Sequence, residues 1–273
     1  MKNKKAICSF FLLFTLYFLL SCNQNNITTD NSLKKYFDEN NVTGSFAIFD
    51  NSQAHFTIYN LNRYRDSAYT PASTFKILNS LIGLQTGKIT SEKMVIKWDG
   101  IKREIAEWNQ DLTMTQAFKY SAAPYYQEVA RRIGRDTMQH WLDTIHYGNA
   151  KIGDRIDSFW LDNSLKLTAD EQLGFIKKLY FEQLPFEKRP QNIVKEVMLQ
   201  ESNSNYKLSY KTGWGFRENG NSIGWVVGWI EENRHPYLFV LNVEGPHDIN
   251  MSEVRMKIFR DILKQLGFFE GRK

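Results

Sequence analysis

Residues 71–87 read Pro71-Ala72-Ser73-Thr74-Phe75-Lys76-Ile77-Leu78-Asn79-Ser80-Leu81-Ile82-Gly83-Leu84-Gln85-Thr86-Gly87. From Ser73 to Gln85 the spacing is helical, and Phe75, Ile77, Leu78, Leu81, Ile82 and Leu84 cover almost every face. A helix that is apolar all round must be buried, and Gly87 makes a good stop for it. The stretch therefore predicts a helix inside a domain, with other elements packed around it.

On its N-terminal side, Val42 to Phe49 and His55 to Tyr59 alternate like paired strands, with Asp50-Asn51-Ser52 as turn residues between them. On its C-terminal side, Thr113-Met114-Thr115-Gln116 and Thr168-Ala169-Asp170-Glu171 have capping-box form, each opening a helical stretch. Residues about 73–200 are thus expected to be mainly helical. Strand patterns return at Tyr206–Lys211, Ile223–Glu231 and Tyr237–Glu244. A last amphipathic helix over about Ser252–Leu266 would bury Val254, Ile258, Phe259, Ile262 and Leu266, with Gly267 ending it. Strands, many helices, three strands and a helix make an α+β fold rather than a βαβ repeat. The sheet is expected to draw on about 32–72 and 201–273, in a single domain of residues 32–273.

Composition fits one such domain. The 273 residues are 42% hydrophobic, and 19 Phe, 13 Tyr and 7 Trp exclude intrinsic disorder. Net charge is +5, but Lys2, Lys4 and Lys5 supply three of those charges, leaving a near-neutral body. Nucleic-acid binding has no electrostatic footprint there. That basic tip precedes an apolar run from Ala6 to Leu20, too short and too close to the terminus to favour a stable membrane span. Residues 1–22 read as a secretory leader. Its end, Leu19-Leu20-Ser21-Cys22, resembles a bacterial lipobox, in which the cysteine is acylated and becomes the new N-terminus. The expected protein is exported to the periplasm and anchored to a bacterial membrane through lipid on Cys22. The Asn-rich stretch 23–31 reads as a solvated tether. Cys8 and Cys22 are the only cysteines, so the mature chain has no thiol for a disulfide, a zinc ribbon or a cysteine nucleophile.

The five histidines, His55, His140, His146, His235 and His247, form no HExxH or other recognised ligand spacing, and no Gly-x-Ser-x-Gly elbow is present. No metal site is expected. The sharper pattern is Ser-x-x-Lys, which puts an amine one helical turn from a hydroxyl. It occurs at Ser32/Lys35, Ser73/Lys76 and Ser204/Lys207. The first and third lie in wet surroundings, where lysine stays charged. Only Ser73/Lys76 opens an apolar helix, where burial can bring a lysine from about 10.4 toward 7 and free its lone pair to take the serine proton. The bland alternative is an N-cap serine and a snorkelling lysine, and this motif by itself leaves the two readings even.

Other motifs decide between them. Ser121-Ala122-Ala123, Tyr147-Gly148-Asn149, Phe159-Trp160-Leu161 and Lys211-Thr212-Gly213-Trp214-Gly215 follow in that order. With Pro71 to Lys76 this set resembles the class D (oxacillinase-type) serine β-lactamases over essentially all of the mature chain. The resemblance implies an antiparallel sheet flanked by helices plus a mainly helical subdomain, as in serine β-lactamases and penicillin-binding proteins. It implies Ser73 as nucleophile on the lactam carbonyl. It also implies Lys76 as general base after reaction with carbon dioxide, with no separate cofactor. Trp160 would hold the carbamate, and Ser121 would pass a proton to the leaving nitrogen beside Lys211. Backbone N–H groups of Ser73 and Trp214 would form the oxyanion hole. Thr212 and Arg255 would bind the drug carboxylate at the Lys211-Thr212-Gly213 edge, while Tyr147, Asn149 and Leu161 would shape the pocket. Ala123 departs from the pattern, because the family usually carries valine there, in the apolar wall around the lysine.

The expected partners are β-lactam antibiotics, with a lipid anchor as the only membrane contact. Two related readings share much of the motif set: a penicillin-binding transpeptidase and a β-lactam sensor domain that stays acylated. Tyr147-Gly148-Asn149 and Trp160 favour the hydrolase over the first. A sensor needs a transmembrane transducer, and the apolar segment in this sequence is the terminal leader.

Overall fold

The computed structural model describes residues 26–273. The expected leader, residues 1–22, and the lipidation site Cys22 lie outside the described residues. The strands are β1 (Ile27–Thr29), β2 (Thr43–Asp50), β3 (His55–Tyr59), β4 (Ala68–Tyr69), β5 (Val95–Ile96), β6 (Leu112–Thr113), β7 (Leu167–Thr168), β8 (Leu199–Ser202), β9 (Tyr206–Phe216), β10 (Ser222–Glu232) and β11 (His235–Gly245). Seven of them form one sheet in the order β1-β3-β2-β11-β10-β9-β8, and β4 with β7 and β5 with β6 make two small ladders. Neighbours in the large sheet run antiparallel except β1, which lies parallel to β3. Both ends of the chain therefore build one sheet, as the strand pattern predicts.

The tether expectation over 23–31 needs correction. Ile27, Thr28 and Thr29 pair with Phe56, Thr57 and Ile58. Three β-branched residues in a row favour a strand despite the asparagines around them. The pairing is closed at both ends by backbone bonds from Phe56 N to Asn26 O and from Asp30 N to Ile58 O. The folded domain thus includes residues before position 32.

The helices are α1 (Lys34–Asp38), α2 (Leu61–Asp66), α3 (Lys76–Gln85), α4 (Met114–Lys119), α5 (Ala123–Ile133), α6 (Arg135–Ile145), α7 (Ala169–Tyr180), α8 (Lys188–Val197) and α9 (Met251–Gln265). Both capping boxes form, Thr113 with Gln116 and Thr168 with Glu171. Apolar side chains pack on both faces of the sheet. One layer, with Phe37, Phe46, Phe239 and Phe259, joins it to α1 and α9. The other, with Phe75, Ile77, Leu81, Trp160 and Trp225, joins it to the helical subdomain built around α3. Every residue of α3 from Lys76 to Leu84 is buried. Among the described residues no helix is long and apolar enough to cross a membrane.

Candidate active site

The predicted helix from Ser73 starts differently from expectation. Ala72–Phe75 is a 3-10 turn, and α3 proper begins at Lys76. Ala72 sits at φ 49°, a left-handed conformation that a Cβ disfavours. The turn is held there by neighbours: Ala72 N and Thr70 Oγ1 donate to Trp160 O at 3.0 and 2.8 Å, and Thr74 N and Oγ1 donate to Pro71 O at 3.1 and 2.8 Å. Strand β9 presses on the same turn, since a Cβ on Gly213 would stand 2.8 Å from Pro71 O. From Tyr69 to Leu84, Ser73 alone is not buried. The one opening in this dry segment is a serine.

Lys76 is wholly buried, with Nζ 2.7 Å from Ser73 Oγ and 5.6 Å from the centre of the Tyr126 ring. Burial brings its amine down to about 7. The other two Ser-x-x-Lys pairs, Ser32/Lys35 and Ser204/Lys207, are exposed. Trp160 is also wholly buried, its ring stacked on Phe75 at 5.1 Å, and its indole N–H has no acceptor. A buried donor without a partner costs about 1–3 kcal/mol, so this one calls for an explanation.

Across the opening, Ser121 also adopts a left-handed backbone, at φ 55°. Its Oγ accepts from Lys211 Nζ at 3.0 Å, and the same amine donates to Thr212 O at 3.0 Å. Lys211 is buried; desolvation first, then the charges of Lys76 and Arg255, hold its amine well below the usual lysine range. Arg255 comes from α9, donates from Nη1 to Gly213 O at 2.6 Å, and is lowered by burial to about 10. It keeps its charge at neutral pH. Two nucleophilic hydroxyls, each next to a lysine, and an arginine at the strand edge make a site for opening an acidic cyclic amide.

A family model described as the penicillin binding protein transpeptidase domain matches residues 22–264. Over 235 residues the chain is 42% identical to β-lactamase OXA-48 of Klebsiella pneumoniae, covering 86% of this chain and 87% of that protein. The chain belongs to the class D β-lactamases. Among solved structures, the class D β-lactamase of Sebaldella termitidis matches with TM-score 0.84 and 35% identity, over 88% of this chain and 97% of that one. The C-terminal domain of the Bacillus licheniformis BlaR penicillin receptor also matches at 0.84, with 29% identity, over 91% of this chain and 99% of that one. The fold is thus common to a β-lactamase and a penicillin receptor.

In this β-lactamase Thr212 is half-buried on β9 and Trp214 is exposed beside it, its indole N–H donating to Ser222 Oγ at 2.8 Å. Leu161 follows Trp160 and is half-buried. Ala123 is half-buried as the first residue of α5. Nearby on the same helix, Tyr125 is buried and its hydroxyl donates to Met94 O at 3.2 Å. Tyr147 and Asn149 depart from the pocket-wall expectation. The Tyr147 ring is buried edge-on against Phe75 and Phe175, a layer behind the turn. Asn149 is exposed and braces backbone, donating to Ser164 O and accepting from Lys166 N. Asn149 thus braces the loop that follows Trp160, and Tyr147 packs behind the nucleophile turn. All five histidines are exposed or half-buried. Two buried residues at the site, Tyr126 under Lys76 and Gln172 behind Thr74, were not signalled by any motif. The mark for Gln172 is a polar residue on the otherwise apolar face of α7.

Proposed function

We propose that the enzyme opens the β-lactam ring of penicillin-type antibiotics through a Ser73 acyl-enzyme, with the Lys76 side chain as general base, and so confers resistance. The observation that carries this reading is a fully buried lysine amine, brought down to about 7 by desolvation, 2.7 Å from an accessible serine. Uncharged, that side chain can take the Ser73 proton. Ser73 Oγ bonds to the lactam carbonyl carbon, the ring C–N bond breaks, and the nitrogen takes a proton from Ser121, which regains one from the Lys76 side chain and readies that base for a second proton. Backbone N–H groups of Ser73 and Trp214 receive the oxyanion, and Thr212, Lys211 and Arg255 receive the drug carboxylate. In the second half, the Lys76 side chain takes a proton from water, the water oxygen bonds to the acyl carbon, the bond from that carbon to Ser73 Oγ breaks, and Lys76 returns the proton to Oγ.

Carbon dioxide on Lys76 Nζ fits the residues present, because the amine titrates near neutrality and the buried Trp160 N–H lacks an acceptor. When bound it supplies an anionic oxygen base for the same proton transfers, with Trp160 as its donor. The reading includes export to the periplasm and lipid anchoring at Cys22; its support is the basic start, the apolar run and Leu19-Leu20-Ser21-Cys22.

Intact-mass measurement with benzylpenicillin tests the nucleophile. Wild type should gain and then lose one penicilloyl group, and Ser73→Ala should gain none. A penicilloyl adduct on Ser73→Ala contradicts the assignment.

A further inference from the structure

Gln172 lies on the face of α7 that also buries Ala169, Leu173 and Ile176, and it is wholly buried. A primary amide in such a place needs partners for both ends. Its Nε2 donates to Thr74 Oγ1 at 2.7 Å, and its Oε1 accepts from the Tyr147 hydroxyl at 3.4 Å. Thr74 has one hydroxyl proton, and that proton goes to Pro71 O. The Gln172 N–H therefore occupies the acceptor side of the threonine oxygen and fixes the rotor toward Pro71.

This matters because of the peptide that Pro71 O belongs to. The Pro71–Ala72 peptide plane sets φ of Ala72, the left-handed residue directly before the nucleophile. That plane is held at both ends. Its N–H donates to Trp160 O, and its C=O accepts from Thr74 N and Thr74 Oγ1. Releasing one end lets Ala72 relax toward the ordinary backbone regions that a Cβ prefers. Such relaxation re-aims both the backbone N–H and the Oγ of Ser73.

We propose that Gln172 is a positioning residue for Ser73: through Thr74 it keeps Ala72 left-handed and so keeps the nucleophile aimed. Tyr147, from the Tyr-Gly-Asn motif, supports it from behind. Gln172 reaches none of the reacting atoms, so it shapes acylation by geometry and leaves the environment of Lys76 as it is. Left-handed non-glycine residues persist where their surroundings over-determine them, and here the surroundings can be named. The proposal rests on the acyl-enzyme reading.

The test uses a suppressor that a merely structural role does not respond to. Acylation rate constants are measured by quenched-flow intact mass with benzylpenicillin for wild type, Gln172→Ala and Gln172→Met. The methionine variant keeps the length of the side chain and lacks the donor, so it serves if alanine fails to fold. Acylation should slow about tenfold or more in these variants, and the acid limb of the rate should stay where wild type has it. Adding Ala72→Gly should then recover at least about threefold, because glycine takes a left-handed φ without the steric cost. Acylation within about twofold of wild type in both variants overturns the proposal. So does a loss that Ala72→Gly leaves untouched. A wild type that forms no adduct at all overturns the acyl-enzyme reading and this proposal together.

Discussion

Lys76→Met swaps a buried amine for a thioether of similar length, which should destroy turnover and make the folded enzyme more stable. The cost of the native lysine follows from its surroundings. Desolvation takes the amine from 10.5 to about 7. At about 1.4 kcal/mol per pH unit, that gap is roughly 5 kcal/mol. The sign is set by proton counting. Between pH 7 and 10.5 the unfolded lysine holds a proton and the folded one does not, so the native protein gains stability as pH rises through that window. Below about 7 both forms are protonated and the full penalty stands. Methionine escapes it but forfeits the hydrogen bond to Ser73, worth about 1 kcal/mol. The net expectation at pH 7 is a gain of roughly 3–4 kcal/mol, or a Tm on the order of 10 °C higher for a domain of this size. Thermal melts in carbon dioxide-free buffer from pH 6 to 10 read this directly. The gap between variant and wild type should shrink as pH rises. Added bicarbonate should stabilise wild type and leave Lys76→Met unchanged, since only the lysine can take it up. A variant that melts no higher than wild type at pH 7, or a gap that does not narrow toward pH 10, refutes the reasoning.

Three further outcomes follow from the same site. Trp160→Phe keeps an aromatic ring on Phe75 but removes the unpaired N–H, so activity should need more bicarbonate for half-maximal rate; an unchanged requirement contradicts the role given to Trp160. Ala123→Val adds bulk where the family resemblance implies the wall around Lys76 and should lower that requirement, and no change would mean that alanine here carries no catalytic meaning. Cys22→Ala should shift the protein out of the membrane fraction or block its maturation; wild type found wholly in the soluble fraction contradicts the lipid anchor.

Local signals in the sequence carried well into the structure. The apolar helix after Ser73, the two capping boxes and the alternating strands are each decided by residues a few positions apart, and each forms close to where it was read, though the helix proper starts at Lys76. What stayed hidden depends on contacts between distant residues. Ile27–Thr29 becomes a strand only because β3 is there to receive it. Gly213 and Gly215 resemble the end of a strand, yet β9 runs on to Phe216. They are glycines because the strand must approach the nucleophile turn, where a Cβ would crowd Pro71 O, Thr70 and Ala72. Nothing in Pro71-Ala72-Ser73 announces a left-handed alanine; Trp160 and, through Thr74, Gln172 hold it from elsewhere in the chain. The positions taken over by resemblance divide by their place in the fold. Ser73, Lys76, Ser121, Lys211 and Arg255 gather around one opening, while Tyr147 and Asn149 stand behind it.

The central claim is that Ser73 and Lys76 complete a full turnover, which separates this enzyme from a receptor of the same fold that stays acylated. The direct measurement is the lifetime of the benzylpenicillin acyl-enzyme by rapid-quench intact mass, at neutral pH with bicarbonate present. The adduct should vanish within about a second of substrate exhaustion, with Ser73 free to react again. An adduct that persists for about an hour would contradict the claim and make Ser73 a trap.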